Sequence, residues 1–116
     1  MHKNFSKFVV IQKGYLLATG GDVGCSVILD AIESLSISTT GKRDSWVELS
    51  AQSVEDRTFG IIAKRNVYRK IKELKENKLI EVRYGNDNLP SYKLNQEAID
   101  TVIRNNTESV KSNEID

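Results

Sequence analysis

The chain has 116 residues, enough for one ordinary domain and one hydrophobic core. Leu, Ile, Val and Phe make up 33 of them, above the fraction at which a charged chain stays disordered. Lys plus Arg (17) nearly balances Asp plus Glu (16), so net charge points to no partner, and the placement of charge has to. A single cysteine, Cys25, excludes an internal disulfide and a cysteine-based zinc site. The one histidine is His2. No stretch reads as the roughly 18 apolar residues of a membrane span, and the start lacks the apolar segment of a secretory signal. The expectation is a soluble, cytoplasmic chain with no membrane partner.

In chain order, Phe8–Ile11 is a run of β-formers closed by Gly14 and predicts a short N-terminal strand. Gly20-Gly21-Asp22-Val23-Gly24 lacks the Gly-Lys-Ser/Thr of a phosphate cradle and reads as a plain loop. Asp22 is suited to cap a helix from Val23 to Leu35 or Ile37, with Val27, Ile28, Ala31, Ile32 and Leu35 on one face. Ser38–Ser45 has the composition of a loop, and Trp46–Leu49 that of a short strand. A Trp opening such a strand is more often core than a base-stacking platform. Ser50 or Ser53 can cap the next helix. Ser53 is preferred, because Glu55 and Asp56 then lie in its first turn, where the helix dipole favours carboxylates. Gly60 keeps that helix short.

From Ala63 to Asn77, Val67, Ile71 and Leu74 form a clear apolar stripe. Ile80, Val82 and Tyr84 then alternate with Glu81 and Arg83, and Tyr92 and Leu94 with Ser91 and Lys93. Two strands joined through Gly85–Asn88 make a β-hairpin, with Tyr84 and Tyr92 expected inward. Asn95 can cap a last helix holding Ile99, Val102 and Ile103, a stripe that either packs back on the domain or meets a second copy. From Asn105 the chain is polar and is expected to fray.

The window Lys64–Arg83 carries +5 and the remainder −4, so the neutral total hides a dipolar molecule. Arg65, Arg69 and Lys72 lie opposite the Val67–Leu74 stripe, flanked by Asn66 and Tyr68. Guanidinium can fork onto a phosphate or a guanine edge, and an amide can pair with adenine. The bland alternative is a solvated face neutralised by Arg69–Glu73 and Lys72–Glu76 pairs.

The stretches Trp46–Ser50, Asn66–Lys75, Leu79–Val82 and Ser91–Asn95 resemble a winged helix–turn–helix domain. With Phe8–Ile11 included, the resemblance is strongest to the N-terminal domains of plasmid replication initiators and phage replisome organisers of the DnaD type. It implies an α+β fold: a three-helix core, a small antiparallel sheet with a β-hairpin wing, an extra N-terminal strand segment and a C-terminal helix. The domain would span residues 1–95, with a helix and polar flexible tail at 96–116. Ala63 stands where Ser or Thr often caps the recognition helix, and Lys78 where Gly is usual.

The implied function is sequence-recognising binding of double-stranded DNA in phage or plasmid replication initiation. The recognition helix would be about 63–77 and the wing about 80–94. The expected contacts are Lys64, Arg65, Asn66, Tyr68, Arg69, Lys72, Lys75, Arg83 and Lys93. A winged-helix transcription regulator and a protein-interaction winged helix in replisome assembly are the alternatives. A homodimer is expected, and replisome proteins are further candidate partners. No catalytic residue, metal ligand or cofactor is expected, and an enzyme is not.

Overall fold

A computed structural model of the chain describes residues 11–85 and 89–115. The described residues form five helices and a three-stranded antiparallel sheet, an α+β arrangement. Helix α1 spans Lys13–Ala18. The predicted N-terminal strand falls almost wholly outside this description. Phe8–Val10 lie outside the described residues, Ile11 is in no strand, and Gly14 lies inside a helix rather than closing a strand. Tertiary packing decides the matter: Tyr15 and Ala18 are buried, and Gly14 lets α1 approach the last helix. A Cβ there would stand 3.3 Å from Ile103 Cδ1.

Helix α2 runs from Val23 to Thr40 through the centre of the core, with Ile28, Leu29 and Ile32 fully buried. Asp22 caps it, accepting from the Cys25 N–H at 2.9 Å. The helix outlasts its predicted end at Leu35 or Ile37, so Ser38–Thr40 are helical rather than loop. In this last turn Thr39 Oγ1 donates to Leu35 O (2.7 Å) and Thr40 Oγ1 to Ser36 O (3.1 Å). Left-handed Gly41 then stops it. By length and composition alone, this window (mean hydropathy 1.2) could cross a membrane, which the sequence reading missed; half of it is buried inside the fold.

Strand β1 (Val47–Glu48) pairs antiparallel with β3 (Pro90–Leu94), which pairs antiparallel with β2 (Ile80–Tyr84), giving the order β1-β3-β2. Val47, Ile80, Tyr92 and Leu94 face the core. Tyr84 does not: it lies opposite Pro90 near the hairpin tip, past the edge of the core, and is 68 % exposed.

Helix α3 is Ala51–Arg57 and α4 is Lys64–Glu76. Ser50, not Ser53, caps α3: the Ser53 N–H donates to Ser50 Oγ at 3.0 Å. The earlier start turns Ala51 and Val54 into the core. After α4, Lys78 takes a left-handed conformation (φ 63°). Its N–H donates to Lys75 O and that of Leu79 to Leu74 O, both at 3.0 Å, the bonding of a Schellman stop. Phe59 takes the same role after α3 at φ 54°.

Helix α5 runs from Gln96 to Ile115, capped by Asn95, which accepts from the Ala98 N–H at 3.2 Å. The expected polar tail from Asn105 is instead a continuation of this helix, and Asn106 Nδ2 donates to Leu17 O on α1 (2.8 Å). Ile99 is buried, and Val102 and Ile103 pack against the core. The stripe therefore folds back on its own chain.

Candidate nucleic-acid interface

The buried side of α4 is Val67, Ile71 and Leu74. Burying that stripe forces the positions between its members outward, so Lys64, Arg65, Tyr68, Arg69, Lys72 and Lys75 are all exposed. Asn66 lies at the flank of this face. It is half-buried and lines a groove with Ile11, Val23, Ile61 and Lys70, between the start of α2 and the α3–α4 turn. Amide contacts to a nucleobase from this position are not supported by its setting.

The N-terminus of α4 lacks a side-chain cap of its own, as Ala63 implies. Glu55 of α3 substitutes, its Oε2 accepting from the Lys64 N–H at 2.8 Å. The carboxylate thus fixes the angle between α3 and α4 and sits at the positive end of the helix dipole.

Among the described residues, Arg65, Arg69, Lys72 and Lys75 form no ion pair. The neutralising pairs of the bland reading, Arg69–Glu73 and Lys72–Glu76, are not made. Glu73 turns the other way, towards Lys70 and Cys25 (Cys25 Sγ–Glu73 Oε2 3.7 Å). Lys70 is the paired cation of the helix. Its Nζ lies 2.8 Å from Asp22 Oδ2 and 3.8 Å from Glu73 Oε2. Burial alone would lift the Asp22 carboxyl, but the hydrogen bonds from Lys70 and the Cys25 backbone outweigh it and hold the group below the usual range. Asp22, Cys25 and Glu73 bring three possible metal donors within 4.8 Å of one another. The Lys70 ammonium already supplies the positive charge those carboxylates attract. Burial, with Asp22 and Glu73 nearby, pushes the Cys25 thiol up to about 12, which makes it a poor nucleophile.

Arg83 of β2 and Lys93 of β3 lie on the sheet face turned away from the core, beside a half-buried Trp46. Trp46 is therefore not the core residue its place before a strand suggested. The Arg83 guanidinium carbon is 4.3 Å from the ring centroid and Lys93 Nζ 5.9 Å from it. Sequence reasoning missed this contact and the Glu55 cap, since each joins residues that share no local period. The clue to the first was the hairpin register, which sets Lys93 beside the β1 side of the sheet.

The chain was compared with models of protein families, with curated proteins and with solved structures, and none of them matched.

Proposed function

We propose that this chain is a winged helix–turn–helix module that binds double-stranded DNA through the outward face of α4. The observation that carries the reading is the set of unpaired cations Arg65, Arg69, Lys72 and Lys75 on a helix whose opposite face is locked into the core. Carboxylates close by in sequence could have neutralised them and do not. The element order supports it. Helix, strand, helix, helix and hairpin, with sheet order β1-β3-β2, are compatible with a winged helix, and on this reading α4 is the recognition helix and β2–β3 the wing. Phosphate neutralisation would supply most of the affinity, with about 0.9 of log–log salt slope per phosphate.

The test is a labelled duplex titrated at several salt concentrations. Wild-type protein should bind tightly at low salt and lose affinity steeply with added salt. Arg65→Ala/Arg69→Ala/Lys72→Ala should weaken binding on the order of 100-fold and flatten the slope by about 3, with an unchanged thermal midpoint. A folded triple mutant with wild-type affinity sinks the assignment.

For the process, replication initiation of a phage or plasmid remains the reading, on the resemblance of the sequence. It requires several clustered binding sites near an origin and reduced copy number when the protein is lost. One operator beside its own gene, with copy number unaffected, decides for a transcription regulator. A protein-interaction role is favoured by one feature, the apolar Phe59 (59 % exposed) and Ile61 (72 % exposed) on the α3–α4 turn. Phe59→Ser/Ile61→Ser separates the two, since it should spare duplex binding and abolish capture of replisome proteins. A homodimer also remains proposed, no longer through Ile99–Ile103, which packs on α1. A monomeric mass by light scattering at high concentration, with and without DNA, removes it.

A further inference from the structure

The outer face of the sheet carries the chain's single tryptophan. Val47 pairs with Tyr92, so Trp46, one residue earlier, stands level with Lys93. Arg83 pairs with Ser91 and Glu81 with Lys93, so Arg83, Ser91 and Lys93 point together, away from buried Tyr92 and Leu94. Two cations thus meet one aromatic ring, at 4.3 Å and 5.9 Å from its centroid. Glu48 and Glu81 share this face by register, yet among the described residues neither forms an ion pair with Arg83 or Lys93.

An aromatic face attracts a cation through its quadrupole but does not cancel its charge. Two like charges held at one ring repel, and an anion bridging them relieves that repulsion. The guanidinium fork matches two oxygens of one phosphate, and a lysine ammonium adds a point charge. Stacking also restricts a long, flexible side chain before any ligand arrives, which lowers the entropy lost on binding. We propose that Arg83 and Lys93 form a phosphodiester-binding site on the outer sheet face, with Trp46 as the residue that positions Arg83. The inference rests on the DNA-binding reading and names how the wing grips the backbone.

Because Trp46 is the only tryptophan, its emission reports on this site alone. The full chain is titrated with a duplex whose binding is followed separately by the anisotropy of a label on the DNA. Trp46 emission should change with the same midpoint as the anisotropy. Arg83→Ala should weaken binding roughly fivefold. Trp46→Leu should weaken it as much, add nothing in the Arg83→Ala background, and lower the salt slope by about 0.9 although no charge was removed. Trp46→Phe, the milder change, should restore most of the affinity; circular dichroism checks that each variant is folded. Wild-type affinity and slope in folded Trp46→Leu, or additivity with Arg83→Ala, overturns the site and leaves the α4 interface standing. Absence of duplex binding by the wild type overturns the DNA reading instead. Inorganic phosphate titrated against Trp46 emission then decides the site: a saturable change lost in Arg83→Ala supports it, and no change overturns it.

Discussion

The three carboxylates at and along α2 each have a partner. Asp22 holds Lys70, Glu33 holds Arg43 and accepts from Gln12 Nε2 at 2.8 Å, and Asp30 accepts from the same amide. The outward face of α4 presents five cations, Lys64 among them, with no ion pair among the described residues. Both regions carry charge at helical spacing, and in sequence they look alike. The difference is depth. Groups beside the core lose hydration and must be compensated within the fold, whereas a solvated face can keep its charge for a ligand at little cost. On the proposed reading, the charge left unpaired on α4 is what a DNA backbone would neutralise.

The largest expected effect lies on the paired side. Glu33 is buried, and its removal leaves Arg43 without its ion-pair partner and Gln12 with Asp30 as its remaining acceptor. Glu33→Leu should cost about 2 kcal/mol in urea unfolding, with duplex affinity unchanged. Its pH dependence follows in sign. Burial alone would raise the Glu33 carboxyl, but the Gln12 hydrogen bond and the Arg43 pair outweigh it and keep the group below the ordinary range. A carboxylate held low when folded adds stability above its ordinary value and loses it as pH falls through the lowered one. Urea midpoints measured from about pH 6 to about pH 3 should therefore fall less steeply for Glu33→Leu than for the wild type. Parallel curves contradict the assignment.

Adjacent residues sharpen the comparison. Arg69→Ala should weaken duplex binding about tenfold and leave stability within about 0.5 kcal/mol. Lys70→Ala, one position on, should do the reverse, costing about 1 kcal/mol of stability with little change in affinity, because its partner Asp22 is only part-buried. If both variants lose binding alike, the distinction between spent and unspent charge fails. The smallest effect is at the stop of α4. Lys78→Gly removes a left-handed non-glycine and should stabilise by about 0.5–1 kcal/mol, read as a rise in the thermal midpoint. A drop there would mean that the Lys78 side chain contributes something the backbone does not reveal.

Much of α4 was legible because its code is local. Val67, Ile71 and Leu74 set the buried face, and Arg69 and Lys72 between them turn outward. The Asp22 and Asn95 caps were readable for the same reason: a short polar side chain reaches backbone N–H groups two or three residues on. Ser53 misled because its case rested on where Glu55 and Asp56 would stand along the helix. Glu55 is spent on the next helix instead, a use that depends on how α3 and α4 pack.

What the sequence determined by itself, then, are the periods: the α4 stripe, the alternation of the hairpin, and the cluster of positive charge between Lys64 and Arg83. Each depends only on residues within a turn or two of one another. Tertiary structure alone decided three other matters. Gly14 lies where α1 closes on Ile103, a contact that a side chain at that position would crowd. The Ile99–Ile103 stripe closes on its own chain, because α1 offers it a surface. Arg83 and Lys93 meet at Trp46, because the β1-β3-β2 order brings the sheet's strands together. In all three the partners are distant in the chain, and a contact between distant residues is fixed by how the elements pack, which no local period encodes.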